Sequence, residues 1–165
     1  MGDTRWKTSV TVAAIVERDG RYLVVEEHTP DGLMLNNPAG HLDPGETPLQ
    51  GVIREALEET GRHFTPDALV GVYLSRAQRR TPPSDVTFLR LAFSGAVSEP
   101  VPGRALDPEI ARVLWLTPDE LRAQRSRHRS PLLMRCVDDH RAGRRYPLEL
   151  IYSDPSVDLP PMAQP

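Results

Sequence analysis

The chain has 165 residues, of which 39% are hydrophobic, enough for one well-formed core and too few for two. Its formal net charge is −3 with acidic and basic residues interspersed, so neither a nucleic-acid polymer nor an anionic membrane surface is expected as a main partner. Any phosphate recognition must then be local.

The first ten residues, MGDTRWKTSV, carry no apolar h-region, and no apolar run approaches the ~20 residues of a spanning helix. Cys136 is the only cysteine, which leaves no internal disulfide or four-cysteine zinc site and suits a reducing compartment. The expectation is a soluble, cytoplasmic protein.

Ser9–Glu17 (SVTVAAIVE) and Arg21–Glu27 (RYLVVEE) are β-branched runs separated by Arg18-Asp19-Gly20, and the Asp-Gly pair predicts an antiparallel hairpin between them. Residues 29–37, with Pro30-Asp31-Gly32 as turn chemistry, lead to Pro38-Ala39-Gly40, where a bent loop is expected. Thr47 as N-cap, Pro48 at the first helical position and Gln50 three residues after Thr47 make a capping box. Leu49, Val52, Ile53, Ala56, Leu57 and Thr60 recur at helical spacing, and Gly61 is the stop, so about four turns of helix are predicted.

Two strands are expected at Ala68–Ser75 and Val86–Val97, joined by a loop carrying Arg79, Arg80 and Pro82-Pro83. Val113–Leu116 reads as a short strand. The N-cap Thr117 and Pro118 then start a helix through about Gln124. A last helix is expected from Ser130 to about Arg141. These elements give a mixed sheet flanked by helices, α+β or a three-layer α/β/α sandwich. Residues 1–152 are read as a single domain and 153–165 as a Pro-rich tail, extended or disordered.

The predicted helix between Thr47 and Gly61 holds Glu55, Glu58 and Glu59. At ~100° per residue these carboxylates share an arc about 100° wide, at the edge of the apolar stripe, so they can converge on one point. Like charges so placed repel by a few tenths of a kcal/mol per exposed pair, roughly, unless a cation neutralises them. A carboxylate set without Cys or His partners selects a hard ion, Mg²⁺ or Mn²⁺, which also favours phosphate oxygens. The spacing equally suits a solvated charged face with an Arg54–Glu58 ion pair, and by itself does not choose.

The wider frame is Gly40, five residues, Glu46, seven residues, Arg54-Glu55-Ala56, one residue, Glu58-Glu59, one residue, Gly61. It resembles the Nudix box of the Nudix hydrolases. Chance agreement at the seven positions Gly40, Glu46, Arg54, Glu55, Glu58, Glu59 and Gly61, at residue frequencies near 7%, is about one in a hundred million starting points. Arg62 stands where that box usually closes on an apolar residue, with Phe64 as a substitute for packing. The segments VTVAAIV, YLVVEE, NPAGHLDPGET, FLRLAFS and SPLLMRCVDDHRAGRRYPLELI are similar to the NudJ-type subgroup of phosphatases.

The resemblance implies a Nudix-type α/β/α sandwich and a Mg²⁺- or Mn²⁺-dependent hydrolase of diphosphate linkages. Its substrates would be nucleoside di- and triphosphates or hydroxymethylpyrimidine diphosphate, with release of phosphate or pyrophosphate. It implies Glu55, Glu58 and Glu59 as metal ligands or ligand plus base, Gly40 as a carbonyl ligand and Arg54 as the residue orienting them. Glu46 would support the loop. A further acidic residue before a Trp-bearing strand would be Glu109, with Asp107 second and a solvated loop carboxylate as the alternative.

Arg90, Arg144 and His41 are the substrate-binding candidates. Arg144, in Arg144-Arg145-Tyr146, also suits the basic end of a helix, and His41 a structural role. Arg79 and Arg80 would close over substrate or sit exposed. Tyr73, Phe88, Phe93 and Trp115 have strand spacing and are chiefly core, with one available to stack on a ring. ADP-ribose, dinucleoside polyphosphate and oxidised-nucleotide pyrophosphatases are the alternatives within the family. The first two often carry a Pro or Tyr where Arg76–Arg79 stand here. A non-catalytic nucleotide-sensing module is the alternative outside enzymes. Either a monomer or a homodimer is expected.

Overall fold

The computed structural model describes residues 6–81 and 83–159. The N-terminal five residues, Pro82 and residues 160–165 lie outside the described residues, so the end of the predicted tail does too. The described residues form eight strands: β1 (Ser9–Ile15), β2 (Glu17–Arg18), β3 (Arg21–Thr29), β4 (Gly32–Asn36), β5 (Ala39–His41), β6 (Phe64–Arg80), β7 (Pro83–Val97) and β8 (Ile110–Leu116). Among the described residues the α-helices are α1 (Pro48–Thr60), α2 (Pro118–Ala123) and α3 (Leu132–Arg141).

One sheet has the order β5-β1-β7-β6. β1 runs parallel to β7 and antiparallel to β5, and β6 is antiparallel to β7. In the second sheet β3 pairs with β2, β4 and β8, all antiparallel. The long apolar run of β1 has a physical reason: both of its faces are covered. Ala13 and Ile15 pack in a core with Val137, Leu133 and Cys136 of α3, whereas Val12 and Ala14 pack with Val52 and Ala56 of α1. The mixed sheet thus lies between α1 and α3, the expected α/β/α sandwich. No helix among the described residues is long and apolar enough to cross a membrane.

The first predicted hairpin is only partly present. Asp19 and Gly20 take φ 52° and 76° and turn the chain as expected, but only Glu17–Arg18 pair with Arg21–Tyr22. A strand apolar on both sides needs two covering layers, so β1 leaves for the middle of the other sheet. Residues 32–41, read as loop, contain β4 and β5. The expected loop between residues 75 and 86 is a continuation of the hairpin: β6 and β7 stay in register to Arg80↔Pro83. Arg76–Arg80 are exposed on both faces and carry no alternation of hydrophobicity, so backbone pairing forms there without a side-chain signal. The tail is ordered further than expected, with a 3-10 turn at Pro155–Asp158 capped by Asp154.

Helix α1 is delimited as its sequence requires. Thr47 Oγ1 accepts from Gln50 N, Thr47 N donates to Gln50 Oε1 at 2.7 Å, and Gly61 closes the helix at φ 66°. Its buried face is Gly51, Val52, Glu55, Ala56, Glu59 and Thr60, with Ile53 at 37% exposure. The helix is therefore rotated relative to its apolar stripe, and two of the three glutamates face inward.

Candidate active site on the box helix

Arg54 organises the carboxylates. Its Nε and Nη2 donate to both oxygens of Glu46 at 3.0 and 2.6 Å, and its Nη1 donates to Glu55 at 2.8 Å and to Glu58 at 2.9 Å. Nη2 also donates to the carbonyl of His41 at 3.0 Å, tying the loop before α1 to the helix. The guanidinium fork is saturated, a geometry lysine does not offer. Arg54 holds Glu46 below the usual carboxylate range, and Glu46 in turn is the main cause of the raised Arg54 pKa. The i,i+4 ion pair with Glu58 exists, but as one arm of this larger junction.

Glu59 is 8% exposed and accepts from Ala39 N–H at 2.9 Å. Burial pushes its carboxyl up to about 9 although the Ala39 N–H pulls it down; the charges of Glu27, Glu55 and Asp107 add to the rise. Burial also raises Glu55. Gly40 lies directly against Glu55: a Cβ at Gly40 would stand 2.1 Å from the Glu55 carboxylate carbon. Its glycine identity is a matter of space, since a side chain there would displace Glu55. Similarly, a Cβ at Gly51 would come within 2.9 Å of Glu46 Oε1.

In this conformation the three box glutamates do not converge. Among the described residues no three acidic, His or Cys side chains are grouped to hold an ion, because Arg54 engages Glu55 and Glu58 while the Ala39 N–H engages Glu59. In the loop before β8, Asp107 N–H donates to the carbonyl of Glu58 at 3.0 Å. Burial raises its carboxyl, and Glu58 and Glu109 raise it further. Glu109 is exposed.

Beside Gly40 opens a cavity of about 440 Å³ whose lining includes Thr11, Glu27, Asn36, His41, Phe88 and Arg90. Thr11, His41 and Arg90 align in register across β1, β5 and β7, forming one polar row on the floor. Arg90 is 7% exposed; its Nη1 lies 3.5 Å from Asn37 Oδ1, and the Cys136 thiol and the charges of Glu27 and Glu59 also act on it. Burial lowers its pKa. Cys136 beside it is pushed up to about 11 by burial, so this neighbour is a neutral thiol and not a counter-charge.

The NUDIX domain family model matches residues 6–136. The chain belongs to the Nudix family. Phosphatase NudJ of Escherichia coli K12 is 36% identical over 146 residues, which are 88% of this chain and 92% of the relative. A solved NUDIX hydrolase from Nitrosomonas europaea is 46% identical, with a TM-score of 0.81 over 90% of this chain and 98% of that one. A MutT NUDIX hydrolase from Burkholderia pseudomallei, 20% identical over 81% of this chain and 98% of that one, has a TM-score of 0.65 and shares the fold. This chain is a NudJ-like Nudix hydrolase.

Within the Nudix framework Gly40, Arg54, Glu55, Glu58 and Glu59 form one neighbourhood, and His41 and Arg90 line the adjoining cavity. Arg144 is not there. It pairs with Asp139 at 3.5 Å and lines a separate depression with Tyr73 and Arg135, so the basic end of α3 serves the helix itself. Arg79 lines the cavity rim and pairs with Asp31; Arg80 does not line it. Arg62, in the apolar closing position of the box, lies over the Trp115 ring at 5.9 Å, while Phe64 enters the core as expected.

Glu27, Asn36 and Arg129 were not singled out by sequence, yet line the cavity. The one available signal was strand alternation in VVEEH. Glu26 turns into an ion cluster with Arg112 and Arg127, which puts Glu27 on the opposite side.

Proposed function

We propose that this Nudix protein hydrolyses a diphosphate linkage of a small-molecule substrate, a nucleoside di- or triphosphate or hydroxymethylpyrimidine diphosphate, using Mg²⁺ or Mn²⁺. The observation that carries the reading is the Arg54 junction, which fixes Glu46, Glu55 and Glu58 around a glycine-lined approach at Gly40. The phosphatase relative supports the substrate class.

The donor set fits a hard divalent ion: Glu55, Glu58, Glu59 and the Gly40 carbonyl are all oxygen donors, and Gly40 leaves Glu55 unobstructed. Bound there, such an ion would polarise a phosphoryl oxygen and acidify a water. The chain's own residues then have separable tasks. Arg54 sets the rotamers of Glu55 and Glu58 and competes with the ion for them. Burial keeps Glu59 ready to exchange a proton for a metal. A loop carboxylate accepts the proton of the attacking water, and we assign this to Asp107 ahead of Glu109, because Asp107 is the one whose charge reaches Glu55 and Glu59. Arg90 and His41 face the substrate from the cavity. We place the protein in the cytoplasm, in keeping with its one buried, free thiol.

The test is release of phosphate or pyrophosphate from a panel of these substrates with and without Mg²⁺, the wild type against Glu58→Gln. The expected result is a metal-dependent rate that falls about a thousandfold in the variant. Equal rates in the two proteins reject hydrolysis at this site and leave a nucleotide-sensing role. Running the reaction in ¹⁸O-labelled water identifies the phosphorus attacked.

A further inference from the structure

The arginines lining the cavity beside Gly40 are held differently. Arg76 donates through Nε to Asp85 at 2.7 Å, Arg79 pairs with Asp31, and Arg90 is buried in the floor. Arg129 is exposed, and among the described residues its side chain meets neither a carboxylate nor a hydrogen-bond acceptor. No use inside the fold accounts for its charge, yet the fold fixes where that charge stands. Arg129 N–H donates to the carbonyl of the fully buried Leu35 at 2.8 Å, and His128 forms a parallel bridge with the same residue. The His128 ring holds the Leu121 carbonyl at 2.9 Å, and Arg127 enters the ion cluster on Glu26. Ser130 Oγ then accepts from Leu132 N–H at 3.2 Å as the chain turns into α3. An exposed side chain on so tethered a backbone is placed before any ligand arrives.

The rest of the cavity says what such a charge faces. Glu55 lies against Gly40 and Glu59 behind Ala39, so the Gly40 side is rich in carboxylate. In the function proposed above these groups take a divalent ion and offset its charge themselves. A diphosphate brings about three more negative charges at neutral pH, and a triphosphate about four. These call for a cation away from the box. Leu35, which anchors Arg129, is five residues from Gly40, at most about 18 Å of extended chain, and Arg129 and Gly40 face into the same 440 Å³. A guanidinium fork matches two phosphoryl oxygens and does not lose its proton.

We infer that Arg129 is a substrate-binding residue, gripping a phosphoryl group of the substrate's di- or triphosphate from the lead-in to α3, away from the box carboxylates. The inference rests on the diphosphate-hydrolase reading for the identity of the ligand, while the contact itself is a property of binding and needs no turnover.

The experiment measures binding by calorimetry in Mg²⁺ with two probes. One is the methylene-bridged analogue of ADP; the other is methylenediphosphonate, the same phosphorus chain without a nucleoside. Arg129→Ala and Arg129→Gln are each expected to weaken both probes about tenfold or more, since a charge-assisted hydrogen bond is lost from each. Two neutral variants are used, with thermal melts, so that misfolding of one does not remove the test. Arg125→Ala, which removes an equally exposed charge outside the cavity, is expected to stay within about twofold of wild type. A loss confined to the ADP analogue gives Arg129 to the nucleoside and overturns the inference. Unchanged affinity in a folded variant, an equal loss in Arg125→Ala, or no binding of either probe to the wild type also overturns it.

Steady-state hydrolysis on the same variants keeps this apart from the reading beneath it, with KM expected to rise about tenfold and kcat to stay within about threefold. If the wild type turns over in Mg²⁺, Glu58→Gln does not, and the Arg129 variants keep the wild-type KM, hydrolysis stands and the phosphate contact is wrong. If the wild type turns nothing over but the Arg129 variants bind both probes less tightly, the contact stands and hydrolysis is wrong.

Discussion

Two arginines of this Nudix protein sit near Gly40 and are treated oppositely by the fold. Arg54, partly exposed, makes five hydrogen bonds to Glu46, Glu55, Glu58 and the His41 carbonyl. Arg90, almost wholly buried, has one long contact to Asn37 and an unpartnered Nε. Ordinary packing would assign the partners the other way round, because a buried charge needs them more. The difference separates a junction completed by the protein from a cavity wall that, in the function proposed above, faces the substrate.

Breaking the first arrangement should have the largest effect. Arg54→Ala leaves three carboxylates facing one another without their shared cation. A loss of about 3 kcal/mol is expected, which for a chain of this size is a Tm lower by about 9 °C. Hydrolysis should fall at least about a hundredfold, since Glu55 and Glu58 lose their fixed rotamers. Arg54→Lys restores the charge but not the fork, and should recover more of the Tm than of the rate. Thermal melts and steady-state rates on the same samples check both statements; a variant that melts and turns over like wild type removes the junction from the mechanism.

Arg90→Met is the mirror experiment. Removing a buried charge that the Asn37 amide meets only at 3.5 Å, in favour of an apolar chain of similar length, should leave Tm unchanged or raise it. Binding should suffer instead, with KM for a nucleotide up about tenfold or more and kcat less affected. A fall in Tm comparable with that of Arg54→Ala would show that the protein itself, and not a ligand, depends on this guanidinium.

The acidic side of the junction offers a sharper reading in pH. Glu59 titrates at about 9 in the folded chain against 4.5 as its ordinary value, so folding takes up a proton between these limits. The stability linked to this group is fully present below about pH 4.5 and is lost as pH rises towards 9. Without divalent metal, Glu59→Gln keeps an acceptor for Ala39 N–H and removes the titration. The variant should therefore melt with the wild type near pH 4 and about 4 °C or more above it at pH 8. Adding Mg²⁺ at pH 8 should stabilise the wild type alone. Parallel Tm profiles across that range would mean that Glu59 is charged and solvated.

How far these regions were legible in the sequence differs for a physical reason. The box could be read because Gly40, Arg54, Glu55, Glu58 and Glu59 lie within one loop and one helix, where covalent spacing nearly fixes relative position. Even there, of the stripe Leu49, Val52, Ile53, Ala56, Leu57 and Thr60 the fold buries Val52, Ala56 and Thr60 but turns Ile53 outward, taking Glu55 and Glu59 inside. The cavity was largely illegible. Arg90 and His41 were candidates, but Thr11, Glu27, Asn36 and Leu132 come from four further elements, and each is unremarked in its own segment: a Thr in a strand, the second Glu of a doublet, an Asn before a turn. Only strand register brings them together, and register between β1 and β7 depends on long-range pairing that no local pattern encodes. The β6–β7 extension failed for the related reason that Arg76–Arg80 show no alternation.

Arg144 gives the smallest expected effect and a control for the whole comparison. On sequence it was, like Arg90, a substrate-binding candidate. In the structure it is exposed, contacts Asp139 at 3.5 Å, and Asp139 keeps Arg135 Nε at 3.0 Å and Tyr73 Oη at 3.0 Å when Arg144 is gone. An exposed pair of that kind is worth about 0–1 kcal/mol. Arg144→Ala should therefore change Tm by about 2 °C or less, with kcat and KM within about twofold of wild type. A rise in KM like that of Arg90→Met would show that the tail end of α3 reaches the substrate and that the cavity beside Gly40 is only part of its binding surface.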